Sequence, residues 1–90
     1  MATVRIPTPL RNLCAGASEV TIEGSTVQQV LENLESAYPG FGERIFDDAG
    51  TLRRFVNIYV GEEDVRFGDG TGTAVDDRDV VSIVPAVAGG

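Results

Sequence analysis

Apolar and polar residues alternate over residues 3–7, with Val4 and Ile6 on one side and Thr3 and Arg5 on the other. This period of two marks a strand with one buried face. The alternation returns over residues 19–23 through Val20 and Ile22. The stretch between them, with Asn12 and Gly16, is too long for a tight hairpin and is predicted as a wide loop. At Ser25 and Thr26 the period changes: either hydroxyl can cap exposed amides, and Gln28 or Gln29 stands three residues on, as a capping box requires. Val27, Val30, Leu31 and Leu34 then fall at i, i+3, i+4 and i+7, an apolar helical stripe opposite Gln28, Glu32 and Glu35. The run Tyr38-Pro39-Gly40 ends the helix, because proline cannot extend it and disfavours helical geometry in the residue before it.

Residues 41–46 read as a short helical turn and residues 47–50 as a loop. The segment "FVNIYV" is a third strand, with Val56, Ile58 and Val60 on one face and Phe55, Asn57 and Tyr59 on the other. A turn over residues 61–64 and a short strand over residues 65–67 follow, and residues 80–84 form the last strand. One main helix with a sheet of short strands predicts an α+β layer arrangement in which the helical stripe covers one sheet face. The other face then carries Phe55, Tyr59, Val80 and Val84. Scattered, they are ordinary surface; contiguous and flanked by Arg5 and Arg54, they mark a partner site.

Ninety residues, of which 42% are hydrophobic and 23% charged, with a mean hydropathy of +0.03, describe one small folded domain. Its apolar runs are far shorter than the ~20 residues that span a bilayer, and the N-terminus has no secretory pattern, so the expectation is a cytoplasmic protein without a membrane partner. The single cysteine, Cys14, has no partner for an internal disulfide and reads as a small packing residue. A net charge of −7 repels phosphate backbones and argues against nucleic acid. There is no histidine, and all seven basic residues are arginine, which removes histidine acid–base chemistry, lysine Schiff bases and the P-loop lysine together.

The segment "GDGTGT" over residues 68–73 suggests a phosphate cradle, but its glycine spacing fails, no helix signal follows, and Asp69, Asp76, Asp77 and Asp79 oppose an anion. The same carboxylates lack the ligand spacing of an EF-hand, so the segment reads as a surface loop and no metal site is expected. No catalytic constellation is present in the sequence. The distinctive chemistry is at the end, "PAVAGG", where Gly89 and Gly90 carry no side-chain bulk and Pro85 fixes its own φ where the chain leaves the last strand.

The strand and helix order, "FVNIYV", the acidic turn, "DDRDVVSIVP" and the terminal "AVAGG" resemble the ubiquitin-like β-grasp sulfur carriers of the MoaD/ThiS family. Within it, "RRFVNIYVGEEDVRF" and "PAVAGG" are most similar to the carriers used for cysteine synthesis; Ala86 follows Pro85 where the molybdopterin subunit often carries a second proline. The resemblance implies a β-grasp domain over residues 1–85, a mixed sheet of four to five strands on one main helix, and a flexible extended tail over residues 86–90.

It also implies a role. The Gly90 carboxylate is the working group, carried on a tail of Ala86, Val87, Ala88 and Gly89. An E1-like adenylyltransferase/sulfurtransferase uses ATP and magnesium to adenylate it, and sulfur replaces AMP to leave a thiocarboxylate. The chain is then a carrier and co-substrate with no catalytic residue or bound cofactor of its own. Docking is expected on the helix-free face at Val84, and at Tyr59 and Phe55. A pyridoxal-phosphate-dependent cysteine synthase would accept the sulfur and a metal-dependent peptidase would act beside it. The alternatives are the small subunit of molybdopterin synthase, a carrier for another sulfur-containing metabolite, and a protein modifier that forms isopeptide bonds.

Overall fold

The apolar stripe beginning at Val27 is the inner surface of an α-helix, α1 (Val27–Ala37), with Val27, Val30, Leu31 and Leu34 all buried. These residues are part of a computed structural model that describes residues 1–50, 52–53, 56–65 and 68–85. Thr26 is the N-cap: its Oγ1 accepts from the Gln29 amide at 3.2 Å. Gln29 Oε1 reaches back to accept from the Ser25 amide at 2.9 Å, so the reciprocal half of the capping box lands one residue before the cap. The helix stops at Tyr38, ahead of Pro39.

Beneath α1 lies a mixed five-stranded sheet made of β1 (Ala2–Arg5), β2 (Glu19–Ile22), β3 (Val56–Val60), β4 (Glu63–Asp64) and β5 (Val80–Pro85), in the order β2-β1-β5-β3-β4. β1 and β5 are parallel and the other neighbours antiparallel. The helix-facing set is the one the alternation marks: Val4, Ile6, Ile22, Val56, Ile58, Val81 and Ile83 are buried, and Val20 and Val60 pack partly against them. Burying each such side chain contributes roughly 1.5–3 kcal/mol, against a net stability of order 5–15 kcal/mol for a domain. A second helix, α2 (Phe41–Ile45), stands where a short helical turn was expected and buries Phe41 and Ile45.

Two local expectations change. The connection between β1 and β2 is a seven-residue 3₁₀ helix, Thr8–Cys14, and not an open loop. Leu10 and Cys14 turn into the core from it, and Ala15 in the left-handed region ends it. No capping side chain announces this segment; burial of Leu10 and Cys14 and the bond from Arg11 Nε to Ile6 O at 3.0 Å hold it. The short strand after β3 is Glu63–Asp64, ahead of residues 65–67. The reason is the turn: Val60 pairs directly with Glu63, leaving only Gly61 and Glu62 between the strands, and Gly61 takes φ +63. Val65 leaves the strand for the core, and Phe67 lies outside the described residues.

The glycine-rich segment has a structural task. It contains a 3₁₀ turn, Gly70–Gly72, after which Thr73 O accepts from the Val27 amide at 3.0 Å and the Val75 amide donates to Ser25 O at 2.9 Å. The segment thereby clasps the start of α1 and satisfies one of the amides that every helix N-terminus leaves open. Among the described residues no helix is long and apolar enough to cross a membrane.

Candidate functional site

The residues that face away from α1 are set by register. Along β5, Val81 and Ile83 are buried, so Val80, Ser82 and Val84 occupy the opposite face. Ser82 lies opposite Tyr59 of β3 and beside Arg5 of β1; Arg5 in turn faces Glu19, and Tyr59 faces Asp64. A row of five residues therefore crosses the helix-free face: Glu19, Arg5, Ser82, Tyr59 and Asp64. At one end of the row Arg5 Nε donates to Glu19 Oε2 at 3.2 Å, an exposed ion pair of small energetic weight.

Val84 stands one step along β5 from this row, opposite Asn57. Its side is 42% exposed, and among the described residues it and Met1 are the large hydrophobics most open to solvent. Tyr59 and Val80 are half-buried. Both valines lie diagonally across from Tyr59, about 7–8 Å between backbones, within reach of an aromatic ring. The apolar residues of this face thus form a small group around Ser82, bordered by Thr3, Arg5 and Asn57. Phe55 and Arg54, assigned from the sequence to the same face and its border, lie outside the described residues.

β5 ends at Pro85, which pairs with Val56. The residues that carry the expected chemistry, Ala86, Val87, Ala88, Gly89 and Gly90, lie beyond it and outside the described residues. Chain geometry alone bounds their reach: five residues span at most about 18 Å from Pro85. The strand that precedes them is paired with β1 over Val80, Val81 and Ser82 and with β3 through to Pro85, so its end beside Val84 is held by β3.

Other singled-out residues take structural places. Cys14 is 3% exposed, and its thiol faces Ala17 O at 3.4 Å and Arg11 O at 3.6 Å. Asp79 shapes the turn before β5, its Oδ2 accepting from the Asp76 amide at 3.0 Å. Asp77 instead accepts from the Met1 ammonium at 2.7 Å, and that hydrogen bond and charge hold its carboxyl below the usual 3.8. Sequence patterning missed Glu35: its carboxylate accepts from the amides of Gly40 and Gly42, capping α2 from the side of α1. A half-buried carboxylate five residues ahead of a glycine carries no recognisable local signal.

The whole chain can be compared with known proteins. The sulfur carrier protein CysO of Mycobacterium tuberculosis (strain ATCC 25618 / H37Rv) is 51% identical over 90 residues, covering 98% of this chain and 97% of that one. Small archaeal modifier protein 3 of Haloferax volcanii is 41% identical over 68 residues, 76% of this chain and 73% of that one. Among solved structures, the Amycolatopsis orientalis BexX/CysO complex contains a chain that superposes with a TM-score of 0.93 at 42% identity, covering 100% of both chains. The family model for ThiS matches residues 4–90, a span that takes in all but the first two residues of the sheet, both helices and the glycine terminus. With that match and a half-identical relative along nearly its full length, this ubiquitin-like β-grasp chain belongs to the ThiS family.

Proposed function

We propose that this protein is a sulfur carrier of cysteine biosynthesis, loaded at Gly90. The observation that carries the reading is the 51% identity to the sulfur carrier CysO along 98% of this chain. The chemistry follows from the terminus. A carboxylate is a poor acyl donor because its oxygen leaves badly, so it must first be activated. One Gly90 oxygen attacks the α-phosphorus of ATP, with magnesium held by the activating enzyme; pyrophosphate leaves and an acyl adenylate forms. Sulfide then attacks the Gly90 carbonyl, the bond to AMP breaks, and a thiocarboxylate remains; where an enzyme persulfide delivers the sulfur instead, an acyl disulfide forms first, and a second thiol of the partner attacks its S–S bond, forming an enzyme disulfide and releasing the thiocarboxylate. Gly89 and Gly90 have no Cβ, so the terminus can approach the nucleotide closely in conformations other residues resist.

In this reading the domain presents and the partners catalyse. The helix-free face around Val84 and Tyr59, with Phe55, docks on an E1-like adenylyltransferase/sulfurtransferase while the tail enters its site. The structure of a BexX/CysO complex supports a protein partner for a chain of this shape. A pyridoxal-phosphate-dependent synthase takes the sulfur, and a metal-dependent peptidase frees the product and restores the carrier. The setting is cytoplasmic, where ATP is available.

The test is intact-mass spectrometry of the full chain produced together with its neighbouring genes. An oxygen-to-sulfur mass gain at Gly90 is expected. The 41% identity to a small archaeal modifier protein keeps one rival in view, a protein modifier. Amide adducts between Gly90 and lysines of other proteins would favour that rival, and unmodified protein beside an active adenylating partner would exclude both.

A further inference from the structure

A backbone nitrogen can attack the side chain of the residue before it. The reaction is favoured when an aspartate is followed by glycine, because the attacking residue has no Cβ in the way and its backbone turns freely. Asp69–Gly70 is the single Asp–Gly step in the sequence, and there is no Asn–Gly step.

The fold singles out the same residue. Asp69 is exposed and stands at the cap of the 3₁₀ turn Gly70–Gly72 without a side-chain hydrogen bond to it. Other aspartates are held or shielded. Asp47 Oδ1 accepts from the Ala49 amide at 2.9 Å, Asp76 Oδ1 accepts from the Arg78 amide at 2.8 Å, and Asp77 is bound to the Met1 ammonium. Asp64 and Asp79 precede valines, whose branched side chains crowd the nitrogen, and Asp48 precedes Ala49. At Gly70, by contrast, φ is +60 and no atom lies within 4 Å of the place a Cβ would take. The turn is held by the Gly72 amide donating to Asp69 O and by the Thr73 amide and hydroxyl donating to Gly70 O. With ψ 13 at Asp69 the Gly70 nitrogen is turned away from the Asp69 side chain, so reaction requires this short turn to open locally.

We propose that Asp69–Gly70 is the isoaspartate-forming site of this chain, and that conversion there releases the clasp on α1. The Gly70 nitrogen attacks Cγ of the protonated Asp69 carboxyl. A C–N bond forms, the carboxyl hydroxyl and the amide proton leave as water, and a cyclic succinimide results. Water then reopens the ring. Addition at Cγ restores aspartate; addition at the main-chain carbonyl carbon of Asp69 breaks its bond to Gly70 and leaves the chain running through Cγ, with a free α-carboxylate. The oxygen that the Gly72 amide uses is then no longer part of the chain path, and the backbone is one carbon longer just before Thr73 and Val75. Those two residues make the bonds to the Val27 amide and to Ser25 O that hold the start of the helix.

The experiment uses the full chain, incubated in neutral buffer at physiological temperature, with a synthetic peptide of residues 65–75 as its clock. After digestion, liquid chromatography with mass spectrometry is expected to show a second species of identical mass at Asp69, resistant to a protease that cuts before aspartate. It should be lost in Asp69→Glu, whose longer side chain must close a larger ring, and should precede conversion at any other aspartate. Purified converted protein should exchange its Val27 and Val75 amide hydrogens for deuterium faster than unconverted protein, with the amides of β5 unchanged. A folded chain still unconverted once the peptide has equilibrated, earlier conversion at another aspartate, or unchanged exchange at Val27 and Val75 would each overturn the proposal. None of these results bears on the loading of Gly90, which the oxygen-to-sulfur mass gain decides.

Discussion

The carboxylate of Glu35, in the last turns of α1, accepts the amide hydrogen of Gly42, in α2, at 2.6 Å. The same carboxylate accepts from Gly40 at 3.1 Å, so one side chain closes two backbone donors at the start of a five-residue helix too short to hold itself. Hydrogen bonds to a charged group are worth about 1.5–3 kcal/mol each when partly buried. Glu35→Ala should destabilise the domain by about 2–3 kcal/mol, and Glu35→Gln, which keeps one acceptor, by less. Urea unfolding of the variants measures this; equal, negligible losses would mean that α2 is held by Phe41 and Ile45 alone.

Gly24 sits where β2 hands over to α1 with φ +154, and a Cβ built there would lie 2.7 Å from Val30 Cγ2 and 2.8 Å from the Val30 backbone nitrogen. The backbone atom cannot move without disturbing the first turn of the helix. Gly24→Ala should therefore cost at least the 1–3 kcal/mol typical of overpacking. The midpoint of thermal unfolding should fall, and an unchanged midpoint would show that the handover can open without strain.

Val84 is exposed on the open face but lies within a paired strand, so Val84→Asp should cost only about 1 kcal/mol, the span of strand propensities, and leave the domain folded. On the reading that this face docks on the activating enzyme, the same substitution should raise the carrier concentration needed for half-maximal adenylation. Pyrophosphate release measured against carrier concentration separates the two effects. Tyr59→Ala should act in the same direction. Full activation of both variants at wild-type concentrations would remove the face from the docking surface.

Gly90→Phe should leave unfolding curves superimposable on wild type, because the substitution lies beyond the last strand. Adenylation of the terminus should be lost. A variant that still gains sulfur at the wild-type rate would show that the glycine is dispensable to the reaction.

Asp77 and Met1 give a small pH effect whose sign is fixed. The carboxyl is lowered in the folded state from an ordinary 3.8, by the ammonium's hydrogen bond first and its charge second. The stabilisation is thus fully present above that ordinary value and disappears as pH falls through the lowered one. Asp77→Asn should match the wild type in acid and fall slightly behind it at neutral pH. Stability curves that stay parallel across that range would mean the pair contributes nothing.

The elements legible in the sequence are those whose signal is local. The stripe through Val27, Val30, Leu31 and Leu34 and the cap at Thr26 specify α1 almost residue by residue, and the alternations at Val4–Ile6, Val20–Ile22 and Val56–Val60 choose the buried face correctly. Pairing partners carry no local signal: Val4 beside Val81 joins residues at opposite ends of the chain. The two-residue turn at Gly61 was also hidden, because acidic residues such as Glu63 and Asp64 look like loop and pair only at the sheet edge. For the site, Val84 and Tyr59 are where alternation puts them, on the face away from α1. Their clustering around Ser82 depends on strand order and could not be read from periodicity. Gly90 stood out by its chemistry alone.

The last strand of this chain is a central one. β5 lies between β1 and β3, so without residues 80–85 the sheet is two separate ribbons, β2-β1 and β3-β4, with no strand to join them. Every backbone pairing between the two halves of the sheet therefore runs through β5. It is the keystone of the sheet: loosening it detaches both ribbons at once, whereas loosening β2 or β4 frays only an edge.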